Sequence, residues 1–232
     1  EFKYIYEISV QEHDSLAYKN WKRLFKIYGR ISHLSNLLRV AKCGNGSEIS
    51  SNINDYGVMH EDSLARVLSE AKDLEQQLDL VTISTESAES DTEASFTPIE
   101  NLFLFSKEVC YLFISQLIYN NNSSSTATIL AVRRSLPILT EIFKSYLDEQ
   151  NEDFNFYLIL PIFVFGCDLI GDNYRKWFVE NLYDIYEIRK SEKFLTIIKL
   201  TQKVWTLNQN GMTYVNWCEI AEADGLVLPA YV

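Results

Sequence analysis

Proline and glycine are scarce in this chain, with 4 Pro and 8 Gly among 232 residues. Sandwiches and barrels of short strands need many turn residues, so the shortage argues against them and for long helices. Cysteine is nearly as rare. Cys43, Cys110, Cys167 and Cys218 are widely spaced and form no CxxC pair. Such spacing suits neither a disulfide framework nor a zinc site; buried free thiols in a reducing compartment are expected instead. Histidine is limited to His13, His33 and His60. The chain has no HExxH, GxSxG or GxGxxG motif and no phosphate-cradling glycine loop, and no His/Cys/Asp cluster has metal-ligand spacing. Paired acids such as Glu61-Asp62 and Glu152-Asp153 fall at helix edges, where they favour the helix dipole or face water. The expectation is therefore a non-enzyme, with no catalytic, metal or cofactor site within these residues. Long apolar runs are missing too. Phe156 to Cys167 is uncharged for only twelve residues and contains Pro161. That is too short to span a bilayer, and no secretory leader opens the sequence, so no membrane contact is expected.

Positive charge is in short supply, with 21 Lys and Arg against 32 Asp and Glu and a formal net charge of -11. An acidic chain repels phosphate backbones, so no direct nucleic-acid contact is expected. The charge is uneven, however. Residues 1–42 hold eight Lys/Arg against four Asp/Glu, whereas from Asp73 to Ser106 there are eight acids and no Lys or Arg.

What the chain does have is apolar and aromatic mass. Hydrophobic residues make up 47% of it and aromatics 13%, enough for thick helix–helix layers. Helical spacing places Trp21, Leu24, Phe25, Tyr28, Ile31, Leu34 and Leu38 on one face of a helix from about Ser15 to Lys42. Lys19, Lys22, Arg23, Lys26 and Arg30 line its other face. That stripe reads as a solvated surface or as a contact for an acidic partner or flanking DNA. Residues 43–59 and 81–96 have loop composition and are expected to be mobile, with a helix from about His60 to Leu80 between them. Thr97-Pro98-Ile99-Glu100 is a helix start, leading to about Tyr119 through a segment apolar on most of its circumference. Further helices are expected over about Thr126–Glu149, bending near Pro137, and over Phe154–Ile170, Asn173–Arg189, Ser191–Asn208 and Thr213–Ala223. The fold class is all-α: an irregular multi-helix array of about eight helices, forming a single layered helical domain over residues 1–232.

Aromatic mass in the last third exceeds what a thin bundle needs. Phe156, Leu160, Phe163, Val164, Trp177, Trp205 and Trp217 are candidates for an apolar ligand pocket as well as for plain core.

Two blocks resemble a known family. LILPIFVFGCDLIGDNYRKWF, followed by KLTQKVW, carries Pro161, Gly166, Cys167, Arg175 and Trp205; upstream, EVCYLFISQLIYNNNSSS precedes AVRRSLPIL. In order and spacing they resemble the fungal-specific transcription factor domain, the regulatory region of zinc binuclear cluster proteins, over about Asn101 to Trp217. The four motif residues Pro161, Gly166, Cys167 and Arg175 read as structural. Gly166 suits close helix approach, and Arg175, if buried, must meet a carboxylate or helix-end carbonyls. The resemblance implies a nuclear regulator of transcription, with shuttling from the cytoplasm as a variant. It implies a separate six-cysteine module for zinc and DNA, which nothing in these residues matches. The partners it implies are a small apolar metabolite, transcriptional cofactors or a corepressor, and a second copy in a homodimer. A ligand-free interaction or dimerisation scaffold is the rival reading.

Overall fold

The computed structural model describes residues 16–43, 53–82, 98–148 and 154–225. Among them are eight helices: α1 (Leu16–Cys43), α2 (Ile53–Leu80), α3 (Pro98–Leu117), α4 (Thr126–Asp148), α5 (Phe154–Cys167), α6 (Asp172–Arg189), α7 (Glu192–Leu207) and α8 (Trp217–Ala223). No described residue is in a strand. The all-α expectation holds.

α1 folds into a helix because Leu24, Ile27, Ile31, Leu34 and Leu38 recur at three- and four-residue spacing and bury as one seam. α2 supplies the facing seam of Val67, Ala71, Leu74 and Leu78. The two run antiparallel: Asn20 donates its amide to Thr82 O, while Arg30 reaches Glu70 and Asp73. α2 begins at Ile53, inside the stretch read as loop. Once the seam from Val67 onward is packed, each further helical residue adds a backbone hydrogen bond without a new nucleus, which outweighs the loop-like composition of Asn54-Asp55-Tyr56-Gly57. Residues 44–52 and 83–97, and with them most of both expected loops and the Thr97 cap, lie outside the described residues.

α3 is the central rod. Pro98 occupies its first position, where the missing N–H costs nothing. Leu102, Phe103, Phe105, Val109, Leu112, Phe113 and Ile114 bury against α1, α2, α4 and α5. Burying each such side chain contributes about 1.5–3 kcal/mol. α4 begins after Ser125, whose Oγ accepts the Thr128 N–H as an N-cap. α5 is apolar all round because it lies between α3 and α7. α6 and α7 pack on each other, and α8 closes against α7.

Three boundaries differ from the periodicity, each for a local reason. α5 stops at Cys167 rather than Ile170, where Asp168 N and Leu169 N bond back to Phe165 O and Gly166 O in a tight turn. Gly171, at φ 91°, then turns the chain into α6 as its N-cap, so the helix begins at Asp172 rather than Asn173. α8 starts at Trp217 rather than near Thr213: Asn216 Oδ1 accepts the Cys218 N–H and Asn216 Nδ2 bonds Glu219, which places a cap there.

Candidate functional site

The turn after α5 drives a carboxyl group into the interior. Asp168 is 4% exposed. Its Oδ2 accepts Gln116 Nε2 at 2.5 Å and its Oδ1 accepts Ser123 Oγ at 2.9 Å. The network extends in both directions. Gln116 Oε1 accepts the indole N–H of Trp217 at 2.6 Å. Ser123 Oγ accepts Asn208 Nδ2 at 3.1 Å, and Asn208 Oδ1 accepts the Thr213 N–H at 3.0 Å. One chain of polar contacts thus joins α3, the α3–α4 loop, the end of α5, the end of α7 and the start of α8. Buried polar atoms need such partners, and here every bond but the one from Thr213 to Asn208 joins separate elements.

The donors around Asp168 are neutral. No described Lys, Arg or His forms an ion pair with it. Burial pushes its pKa from the usual carboxylate range up to about 7, against the opposing pull of the Ser123 and Gln116 hydrogen bonds.

Arg175 makes a second junction beside the first. Its Nε donates to Leu169 O at 2.9 Å, one terminal nitrogen to Asn208 O at 3.0 Å and the other to Gln209 O at 3.1 Å. The carbonyls lie just past the ends of α5 and α7, where intrahelical donors run out. The guanidinium also sits 5.3 Å from the centroid of Trp205. Partial burial lowers the pKa of Arg175 and the nearby Asp172 raises it. Of the two partners expected for a buried Arg175, the helix-end carbonyls are the ones present.

Gly166 is where α5 meets α6 and α7. A Cβ there would come within 2.5 Å of the Phe178 ring and 2.9 Å of Thr201 Cγ2. Gly166 O also accepts Trp205 Nε1 at 2.9 Å. Close helix approach is therefore its role. Cys167 is buried, and burial pushes its thiol well above the ordinary range, as it does that of Cys110. Thiols held protonated in this way are poor nucleophiles. Pro161 is buried within α5.

The pocket candidates divide into two groups. Phe163 meets Trp217 edge-on at 5.1 Å, and Phe113 stacks on the same indole at 5.8 Å. Trp205 packs against Phe178, and Trp177 against Phe143. Val164 is buried; Leu160 and Trp177 are half-buried against the same core. The side chain of Phe156 lies outside the described residues. A solvent-open indentation with room for about one water molecule adjoins the polar network, lined by Asn121, Asn122, Ser123, Asp168, Asn208 and Tyr214 among others. Of the described pocket candidates, only Trp217 borders it. Among the described residues no group of three or more His, Cys, Asp or Glu is placed to hold a metal ion, and no helix is long and apolar enough to cross a membrane.

Sequence reasoning missed Asp168, Gln116, Ser123 and Asn208. The first two had a signal. Each is a polar residue at a position that helical periodicity assigns to the interior, Gln116 in α3 and Asp168 ending the most apolar run of the chain.

No curated protein and no solved structure matches this chain. A family model does, over residues 13–228. That span takes in α1 and α2, well upstream of the blocks that carried the resemblance. With the match over nearly the whole length and the motif residues Gly166 and Arg175 at the helix junctions, the chain belongs to the family of the fungal specific transcription factor domain.

Proposed function

We propose that these residues form the regulatory or effector domain of a fungal zinc-cluster transcription regulator, acting in the nucleus by shape and association and making or breaking no bonds. Family membership supports the role in transcription. The observation that carries the finer reading is the polar junction of Gln116, Asp168, Ser123, Asn208 and Trp217 at the meeting of five chain segments. A buried carboxylate among neutral donors is costly to keep ionised, so a small rearrangement of α5–α8 against α3 changes its energy. A metabolite or corepressor that prefers one arrangement shifts the population of states. On this reading the indentation beside Asp168, with room for about one water molecule as it stands, opens to admit a small ligand when α5–α8 shift against α3. An apolar one would have to part Trp217 from Phe163 and Phe113. DNA and zinc contacts belong to a separate module.

Deleting the domain from the regulator, with the DNA-binding module retained, changes reporter output on this reading; unchanged output would refute regulation. A thermal-shift screen of metabolites, with native mass spectrometry, tests ligand entry, since binding the folded state raises apparent stability by mass action.

A second reading, a ligand-free interaction or dimerisation scaffold, is favoured by the exposed leucines Leu37, Leu64 and Leu68 on the α1–α2 hairpin. Light scattering separates the two. A dimer that dissociates when these leucines become serine supports the scaffold, and a strict monomer that binds a metabolite supports sensing.

A further inference from the structure

α1 carries seven Lys/Arg and no Asp or Glu, in a chain whose net charge is -11. The exposed face away from its apolar seam bears Lys22 and Lys26, and Arg23, also exposed, lies on the flank of the seam, seven residues before Arg30 on the same stripe. Four residues of helix advance about 6 Å, so the three charges lie within little more than one turn. Arg30 continues the stripe, but it turns toward α2 and lies 3.7 Å from Asp73 and 3.9 Å from Glu70. The remaining α2 acids nearest the body have other partners: Asp79 accepts Tyr111 Oη and Glu75 accepts Tyr119 Oη. Among the described residues Lys22, Arg23 and Lys26 have no ion-pair partner. Trp21 and Phe25, stacked at 5.5 Å and half-buried, border the same surface.

From this placement we infer that the exposed face of α1 is a docking surface for an acidic polypeptide segment of a partner protein. Charge complementarity selects an anion. Geometry selects a polypeptide over duplex nucleic acid. A single strand or helix can set carboxylates along one helical face at a spacing of about 6 Å, matching Lys22 and Lys26. A duplex, with one phosphate charge per about 1.7 Å along its axis, is broad enough to overlie α2 as well. There it would meet the exposed Asp73 and the half-buried Glu70 within about one Debye length. Half-buried Trp21 and Phe25 offer apolar contact that a peptide can use and a phosphate backbone cannot.

The test is fluorescence anisotropy with a labelled peptide of about eight carboxylates and one or two aromatic residues, titrated with the full chain at about 50 and 200 mM salt. The triple variant Lys22→Glu, Arg23→Glu, Lys26→Glu is compared with a control of equal charge change on other helices, Lys144→Glu, Lys176→Glu, Lys199→Glu. Circular dichroism melts check that both fold. The expected result is binding that weakens with salt and falls by at least about tenfold in the α1 variant, with a much smaller loss in the control. Equal loss in both variants, or no binding by the unmodified chain, would overturn the inference. Tighter binding of duplex DNA than of the peptide would overturn it in favour of nucleic acid. Peptide binding that appears only after Glu86, Glu89, Asp91 and Glu93 are made neutral would show that the chain's own acidic run is the occupant. Light scattering that finds a dimer dissolved by the α1 variant would show a second copy there instead.

Discussion

Asp168 should make the stability of this domain depend on pH in a way that one substitution removes. Its carboxyl is raised from the ordinary range to about 7 by burial. Below about pH 4 the group is protonated both folded and unfolded and has no effect. As pH rises from about 4 to about 7, the unfolded chain ionises at Asp168 while the folded one resists, so stability is progressively lost; above about 7 both states are ionised and the loss levels off. The full difference corresponds to about 4 kcal/mol at 1.36 kcal/mol per unit, and relaxation around the buried group leaves about 2 kcal/mol. The amide introduced by Asp168→Asn cannot ionise. Its oxygen can still accept from Gln116, while Ser123, which already accepts from Asn208, gives up its acceptor on Asp168, a cost that is the same at every pH and leaves the slope unchanged. In a chain of this size each kcal/mol moves Tm by about 2–4 °C. The melting temperature of Asp168→Asn minus that of the unmodified protein should therefore climb by about 4–8 °C between about pH 4 and pH 7, then stay flat to about pH 9. Differential scanning calorimetry at matched ionic strength reads this directly, and the subtraction cancels every other acid. A flat difference across the range, or one that falls as pH rises, would refute the reasoning.

Other outcomes follow from the same geometry. Gly166→Ala forces a methyl group into the Phe178 ring and Thr201 and should cost about 1–3 kcal/mol in urea unfolding, whereas Gly29→Ala, with open space at its Cβ in α1, should stabilise by about 0.5–1 kcal/mol. Arg175→Lys keeps the charge but loses the fork that reaches three carbonyls; a loss of about 1–3 kcal/mol in chemical denaturation is expected, and a neutral result would mean the carbonyls are met by water. Trp217→Phe retains the stack on Phe113 but leaves Gln116 Oε1 without its donor, which should cost about 1–3 kcal/mol by thermal melting.

The helices were readable because burial and periodicity agree. Leu24, Ile31, Leu34 and Leu38, read as one face of α1, all lie on the buried seam, which Ile27 joins while Trp21, Phe25 and Tyr28 of the expected face are half-buried. Pro98 marks an element start, whereas Gly211, at φ 78°, lies in the turn beyond the Asn208 cap that ends α7. Boundaries failed where a side chain replaced a backbone partner, as at Asn216 before α8, and where packing carried a helix through loop-like residues, as at the start of α2. The polar junction was harder to see. Its members come from positions 116, 123, 168, 208 and 217, and nothing in local spacing brings Trp217 to Gln116. Only the misfit of Gln116 and Asp168 within apolar segments hinted that each required a distant partner. The apolar candidates were visible as bulk, but aromatic composition alone does not distinguish rings that line a space from rings that fill one, as Phe163 and Trp217 do against each other.

The claim that the junction around Asp168 carries regulation is tested most directly by reporter transcription from the whole regulator bearing Asp168→Asn, beside the stability-lowering core variant Leu34→Ala in α1. If the junction sets the balance of states, Asp168→Asn shifts output while the protein is as stable as before or more so, and Leu34→Ala shifts it only as far as its abundance falls. Output from Asp168→Asn that matches the unmodified regulator, with and without inducing conditions, would contradict the account.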